Sequence, residues 1–179
     1  MSEPSDLWDG LWMRLGDGLS RADAPARSLA LATQRIGGGG AVRMVILRGV
    51  EQAVQSLTFY THAASDKVAE LGAVPEAEVL LWDAATSFQA RLAVEVTATA
   101  GSLDLWNSFS DGARLNYVPT LTPGAKIAAP HVPDPAGPEA FTVLTAKIIS
   151  ADILDLSALP HRRANFDTKD DFTGQWVAP

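Results

Sequence analysis

The chain has 179 residues, no cysteine and a formal net charge of −7 at pH 7. The missing cysteines exclude disulfides, thiolate catalysis, iron–sulfur clusters and zinc–thiolate sites. The acidic balance argues against nucleic acid as a bulk partner, although it allows one small phosphorylated ligand held by local cations. With 47% hydrophobic residues, the length predicts one globular domain over residues 1–179.

The amino terminus carries no basic region followed by an apolar core, so no signal peptide is visible. No apolar run approaches the roughly 18 residues that a membrane span needs. We therefore expect a cytoplasmic protein with no membrane partner.

The first element, within residues 1–26, is an amphipathic helix predicted over residues 5–19. Leucines recur every four residues, with Trp8 and Trp12 on a flanking row. Ser5 or Asp6 is the expected N-cap. We interpret this helix as lying on the core or on a partner subunit, because its polar face is acidic rather than basic.

Two strand candidates follow at residues 28–34 and 41–50, joined through the four glycines from Gly37 to Gly40. A phosphate loop would need a helix directly after the glycines, and none is predicted, so this stretch indicates a hairpin. The next strand is predicted at residues 56–62. Ser65 is then placed to cap a short helix over residues 66–72, with Asp66 in its first turn.

Strands are also predicted at residues 78–82, 88–100, 141–149 and 151–156, and a helix at residues 103–116. A loop over residues 119–138 holds six of the 11 prolines, which is typical of a functional or partner-covering segment. About seven short strands without regular strand–helix alternation favour an antiparallel barrel over a doubly wound sheet.

The candidate chemistry lies in cations placed beside these strands. Arg43 and Arg48 are five residues apart in one strand, so they should face opposite sides of the sheet. Lys67 lies near a helix start, where backbone N–H groups also attract anions. Arg43, Lys67 and the Ser65 hydroxyl could together clamp a phosphate. The alternative is that these are solvated surface cations.

The order of four short motifs resembles that of the pyridoxamine 5'-phosphate oxidase family. The motifs are Arg43-Met44-Val45-Ile46-Leu47-Arg48, Phe59-Tyr60-Thr61, Ser65-Asp66-Lys67 and Gln89-Ala90-Arg91, and the chain ends on Trp176-Val177-Ala178-Pro179. The resemblance covers roughly residues 27–179. It implies a mostly β fold, an antiparallel split β-barrel with a few peripheral helices. It also implies a homodimer that binds FMN between its subunits.

By this resemblance, Arg43 and Lys67 hold the FMN phosphate, Tyr60 and Thr61 line the cofactor, and Gln89 contacts its ring or ribityl region. The full implied cofactor set is Arg43, Met44, Val45, Ile46, Tyr60, Thr61, Ser65, Lys67, Gln89 and Arg163. The implied substrate set is Arg48, Arg114, His161 and Arg162. No metal is implied, and His62 and His131 are interpreted as structural or surface residues.

Several positions depart from the family pattern. Asp66 stands where the family has an arginine, and no tryptophan stands at the late position, where Leu154 and Asp155 are nearest. His161-Arg162-Arg163 resembles a shortened family motif, or else is an exposed basic loop. Trp106 and Ser110 stand where the family binds the substrate phosphate through a tyrosine and an arginine. Trp106 could equally be a core aromatic, and Arg114 with Tyr117 could form an anion site of another shape.

The function hypothesis is a flavin-dependent oxidoreductase of unknown substrate, in which the cofactor carries the redox chemistry. The alternatives are a flavin carrier or sensor without vitamin B6 turnover, and a dimeric interaction module that has lost FMN. The Asp66 departure keeps the last alternative open.

Overall fold

Eight antiparallel strands form one sheet in the computed structural model, which describes residues 3–120, 122–130 and 137–179. The strands are β1 (Ser28–Gln34), β2 (Gly40–Glu51), β3 (Ser56–His62), β4 (Glu76–Asp83), β5 (Phe88–Ala100), β6 (Phe141–Asp155), β7 (Arg162–Asp167) and β8 (Gln175–Trp176). Their order is β3-β2-β1-β4-β5-β6-β7-β8, and β3 also pairs with β6. This last pairing closes the first six strands into a barrel, which confirms the predicted split-barrel fold.

Helices cover the periphery of the barrel. They are α1 (Pro4–Ser20), α2 (Asp66–Ala73), α3 (Leu103–Asn107) and α4 (Asp111–Arg114). Leu7, Leu11 and Leu15 of α1 are buried in the main core, as their four-residue spacing predicts. The N-cap of α1 is Glu3 rather than Ser5 or Asp6, since Asp6 lies one turn inside and accepts a hydrogen bond from the Glu3 backbone.

Three predicted elements differ from the observed ones. The helix expected over residues 103–116 is two short helices, because Ser110 caps a new helix by accepting from the Ala113 N–H. The two strands expected at 141–149 and 151–156 are the single strand β6, which stays paired with β5 across a register shift at Ala93 and Val94. The basic residues Arg162 and Arg163 lie in strand β7, which the sequence did not predict.

The glycine run is a hairpin, as predicted. Gly37, Gly38 and Gly39 have φ values of 92°, 106° and 87°, which residues with a β-carbon rarely adopt. Gln34 pairs with Gly40, so residues 35–39 form the loop that joins the paired ends of β1 and β2. No helix among the described residues is long and apolar enough to cross a membrane.

The alternation along β2 decides what each face of the barrel carries. Val45 and Leu47 point into the core, whereas Val42, Met44 and Ile46 point outward. Arg43 lies on the inward side and Arg48 on the outward side, which confirms their predicted separation. The ladder between β2 and β3 runs only as far as the Leu47–Phe59 pair, so the two strands diverge beyond it.

Candidate functional site

A cluster of hydroxyl and cationic groups lies where β3 ends and α2 begins. The Lys67 ammonium donates to the Thr61 hydroxyl over 2.9 Å, and the Thr61 and Ser65 hydroxyl oxygens are 3.2 Å apart. Thr61 and Ser65 are buried. Ser65 occupies the N-cap position of α2, but its side chain makes no capping bond. Its hydroxyl therefore remains available to a ligand, next to the first N–H groups of the helix.

Lys67 is held in an unfavourable electrostatic setting. Burial lowers the pKa of its ammonium, and the neighbouring Arg43 charge lowers it further, against smaller opposing effects of Asp66 and Glu70. Two like charges in a half-buried site favour an anion between them. The predicted pair Arg43 and Lys67 is thus brought together by the fold.

Arg43 is held in place by the buried carboxylate of Glu70. Its guanidinium donates to Glu70 over 2.7 Å and also to the Thr33 hydroxyl, which itself donates to the same Glu70 oxygen over 2.6 Å. Burial alone would raise the pKa of Glu70, but the bonds from Thr33 and Arg43 outweigh it and hold that pKa below its usual range. The arrangement fixes Arg43 and leaves other N–H groups of its guanidinium for a ligand.

Thr33 and Glu70 were not predicted as site residues, although the sequence contains an indication of each. Thr33 occupies an inward position of β1, in step with Leu29 and Leu31. Glu70 lies next to Leu71 on the buried side of α2. A polar residue at an apolar-periodic position needs a partner, and Arg43 is that partner.

Asp66, which departs from the family's arginine, has another cation nearby. Arg35, at the tip of the β1–β2 hairpin, lines a cavity of about 260 Å³ together with Asp66, Ala69 and Glu70. The Arg35 charge contributes to lowering the Glu70 pKa. Arg35 therefore adds a positive charge beside Asp66 and Glu70.

The divergence of β2 from β3 leaves a strand edge beside this cluster. Residues 40–46 of β2 pair with β1 on one side, and no strand of the described residues pairs with their other side. Met44 and Ile46 present exposed side chains there, whereas Val45 is buried and offers only its backbone. Tyr60 is the next residue of β3 beyond the last β2–β3 pair, so these four predicted cofactor residues lie along the opening between the diverging strands.

Gln89 and Arg163 lie elsewhere in the chain. The register places Trp82, Gln89, Leu154 and Arg163 in one row across β4, β5, β6 and β7. Arg163 is bound by Asp152 through two hydrogen bonds of 2.9 and 2.7 Å. Gln89 is three strands away from β2, about 14 Å across the sheet. One chain alone does not bring them to the Arg43 cluster.

Arg48 and Arg114, two predicted substrate residues, flank a cluster of aromatic rings. Five rings pack together there: Tyr60, Trp106, Phe109, Tyr117 and Phe141. The Arg48 guanidinium lies 5.9 Å from the Tyr60 ring centre, and its charge opposes the rise that burial causes in the Tyr117 pKa. Trp106 is a buried core aromatic, as its alternative interpretation held.

Arg48 and Arg114 differ in the hydrogen-bond and ion-pair partners of their guanidinium groups. Arg114 donates to the carbonyls of Trp106 and Asn107, and it pairs with Asp111. Arg48 has no carboxylate within salt-bridge distance among the residues that the structure describes. Arg48 is therefore the cation of this cluster that is available to a substrate anion.

The remaining predicted substrate residues lie at the far end of β6. Arg162 pairs with Asp155, and the preceding His161 is exposed. The pairing explains why this basic run enters a strand rather than a loop, because Asp155 on β6 lies directly opposite Arg162 in the ladder. His131, the other histidine of the sequence analysis, lies outside the described residues.

Comparison with known proteins adds a family and several relatives. The family "Pyridoxamine 5'-phosphate oxidase, FMN-binding domain" matches residues 10–100. A pyridoxamine 5'-phosphate oxidase-related, FMN-binding protein from Nostoc punctiforme PCC 73102 is 26% identical, with 96% of each chain covered and a TM-score of 0.77. No curated protein matches the sequence.

Two more distant structures share the fold. PhzG from Burkholderia lata 383, in complex with tetrahydrophenazine-1-carboxylic acid, is 19% identical, covers 100% of this chain and 94% of its own, and gives a TM-score of 0.73. A protein related to general stress protein 26 from Clostridium acetobutylicum is 11% identical, with 94% and 99% covered and a TM-score of 0.61. With the family match extending over half of the sequence, the chain belongs to the pyridoxamine 5'-phosphate oxidase family through its FMN-binding domain.

Proposed function

We propose that this protein binds FMN and uses it as an oxidoreductase. The observation that carries the proposal is the cluster of Arg43, Lys67, Ser65 and Thr61 at the start of α2. Its two cations repel one another, its Ser65 hydroxyl caps nothing, and the helix adds N–H donors. A phosphate monoester supplies the missing anion and acceptor oxygens. No dinucleotide glycine motif is present, so FMN is preferred over FAD.

The roles of the protein groups follow from their positions. Arg43 and Lys67 neutralise the phosphate, while Glu70 and Thr33 keep the Arg43 guanidinium oriented. The backbone of Met44 to Ile46 and the Tyr60 side chain border the adjoining opening. When bound, the flavin supplies the two-electron chemistry, and the protein supplies orientation and electrostatics.

Flavin titration tests this function directly. Quenching of flavin fluorescence should show binding of FMN that is at least about tenfold tighter than binding of riboflavin, because riboflavin lacks the phosphate that the cluster recognises. FAD should also bind less tightly. Equal affinity for FMN and riboflavin would contradict the assignment of the cluster. Reduction of bound FMN by candidate donors under anaerobic conditions separates an oxidoreductase from a carrier.

The complete site is proposed to lie between two copies of the chain. Outward residues of β2 and β4 form an apolar face: Val42, Met44, Ile46, Leu80 and Trp82. The register joins Met44, Ala30 and Leu80 in one row across β2, β1 and β4. Exposed apolar faces of this kind mark protein interfaces. A two-fold contact here brings the partner's row of Gln89 and Arg163 towards the opening that one chain leaves incomplete.

We expect a homodimer whose mass by light scattering is about twice 19.0 kDa. Met44→Asp should shift it towards monomer and weaken FMN, because a carboxylate would be desolvated in the interface. Met13→Asp is a matched control, since Met13 on α1 and Met44 are each 62% exposed. A wild-type monomer that binds FMN tightly would refute the shared site.

The protein is expected to be a poor oxidase of pyridoxamine and pyridoxine 5'-phosphates. Among the described residues flanking the aromatic cluster, Arg48 is the cation without a carboxylate partner; Trp106 is packed in the core, and Arg114 is occupied by α3 carbonyls. An unmatched substrate phosphate loses several kcal/mol of binding.

Steady-state formation of pyridoxal phosphate by FMN-loaded protein measures this deficit. We expect kcat/KM below about 10⁴ M⁻¹s⁻¹, the lower end of the usual enzyme range. A value at or above it would mean that the substrate side has been misinterpreted.

A further inference from the structure

His62 is a buried histidine with a partner on each ring nitrogen. Its Nδ1 accepts the Ala64 N–H over 3.0 Å, and its Nε2 lies 2.9 Å from the Val118 carbonyl oxygen. Because Nδ1 accepts, Nε2 of the neutral ring carries the proton and donates to Val118. One rigid ring therefore bonds to two separate segments of the chain.

The Nδ1 bond holds the segment that we name the phosphate turn, residues 62–67. The Ser65 N–H also donates to the His62 carbonyl over 3.1 Å, so the turn is held at the ring and at the backbone. This turn places the Ser65 hydroxyl beside Thr61 and Lys67. The orientation of the proposed phosphate donors therefore depends on the His62 ring.

The Nε2 bond reaches a different part of the molecule, the covering segment, which we define as residues 115–120 and 122–127. Val118 is buried and follows Tyr117 of the aromatic cluster. Residues of the covering segment and His62 surround a cavity of about 240 Å³. The same imidazole thus contacts the phosphate turn on one side and, on the other, the covering segment, whose Tyr117 lies near Arg48.

We infer that His62 is a positioning residue that couples the phosphate turn to the covering segment. The inference rests on the proposed function, in which the turn holds the FMN phosphate. An anion that orders the turn fixes the His62 ring, and the fixed ring fixes Val118. Coupling of this kind is reciprocal, so ordering of the covering segment strengthens anion binding in return.

Two substitutions separate the two bonds. In His62→Asn the side-chain oxygen still reaches the N–H two residues ahead, but the side chain is too short for Val118. In His62→Gln the amide extends towards Val118 and offers no acceptor suited to Ala64. We expect FMN affinity about threefold weaker than wild type for His62→Asn, the part that reciprocal coupling to the covering segment supplies, and at least about tenfold weaker for His62→Gln.

Hydrogen exchange reports the coupling itself. FMN should slow amide exchange in the covering segment of the wild-type protein and leave it unchanged in His62→Asn, which still binds FMN. Amides of α1 serve as the internal reference, because that helix packs mainly on residues 25–27, β2 and β6.

Three outcomes overturn the inference. Affinity that falls in step with the melting temperature in both variants would show that His62 is merely structural. An FMN response of the covering segment that is equal in wild type and His62→Asn would show that the Val118 bond transmits nothing. If the wild type binds no FMN, the proposed function fails, and the exchange experiment is run with inorganic phosphate; no response of the covering segment then overturns the coupling too.

Discussion

Replacing Arg43 by alanine is expected to lower the free energy of unfolding by about 3–5 kcal/mol, because it leaves the buried Glu70 carboxylate without its cation. For a chain of this length that corresponds to a fall in melting temperature of about 6–20 °C. FMN affinity should fall at least about tenfold as well, since a charge-assisted phosphate contact contributes roughly 1.5–3 kcal/mol.

The double variant Arg43→Met/Glu70→Leu is the matched control for stability. Replacing both members of a buried ion pair by apolar residues is often neutral or stabilising, so most of the lost stability should return while FMN affinity stays low. Recovery of FMN affinity in the double variant would contradict a direct role of Arg43 in phosphate binding. Urea unfolding and flavin titration on the same samples measure both effects.

The ion pair also predicts a pH dependence of stability. The pKa of Glu70 is lowered in the folded protein, so its contribution is present above its ordinary value of 4.5 and is lost as pH falls through the folded-state value. Unfolding free energies between pH 7 and pH 3 should therefore decrease more steeply for wild type than for the double variant. Parallel curves would show that Glu70 is not the titrating group.

Replacing Lys67 by methionine should separate cofactor binding from stability. Its ammonium is partly buried beside Arg43, and both effects disfavour its charge. Removing it should leave the free energy of unfolding unchanged or slightly higher. FMN binding should weaken about 10- to 150-fold, the equivalent of one charge-assisted contact of roughly 1.5–3 kcal/mol.

Lys169→Met provides a surface control, because Lys169 is exposed in the short turn after β7. It should change neither FMN affinity nor stability. If Lys67→Met leaves FMN affinity unchanged, Lys67 does not contact the phosphate. If Arg43→Ala also leaves it unchanged, the phosphate site has been misplaced.

Most elements that depend only on neighbouring residues could be predicted from the amino-acid sequence. The strands predicted at residues 28–34, 56–62 and 88–100 match the observed bounds of β1, β3 and β5, and the four glycines predicted the hairpin between β1 and β2. The five-residue spacing of Arg43 and Arg48 placed them on opposite faces before any tertiary contact was known. Such features depend on backbone geometry over a few residues, which the residues themselves largely fix.

The predictions of secondary structure were wrong where pairing with a distant strand determines the structure. Arg162 and Arg163 look like a surface loop, yet they lie in strand β7, where Arg162 pairs with Asp155 directly opposite and Arg163 reaches Asp152 diagonally across the ladder. The break expected near Ser150 is only a register shift within one strand, because β6 remains paired with β5 on both sides of it. In both cases the strand is stabilised by pairing with a strand that is distant in the sequence, so the residues around it do not reveal the pairing.

The candidate site was likewise predictable in part from the sequence. The motif order indicated Arg43, Lys67 and Ser65, because short spacings are visible in the sequence. Only the tertiary structure showed that Glu70 and Thr33 orient Arg43, that the ladder between β2 and β3 ends beside Tyr60, and that Gln89 lies three strands away. These facts depend on how the barrel closes, since closure alone decides which buried polar groups meet and which edge stays open.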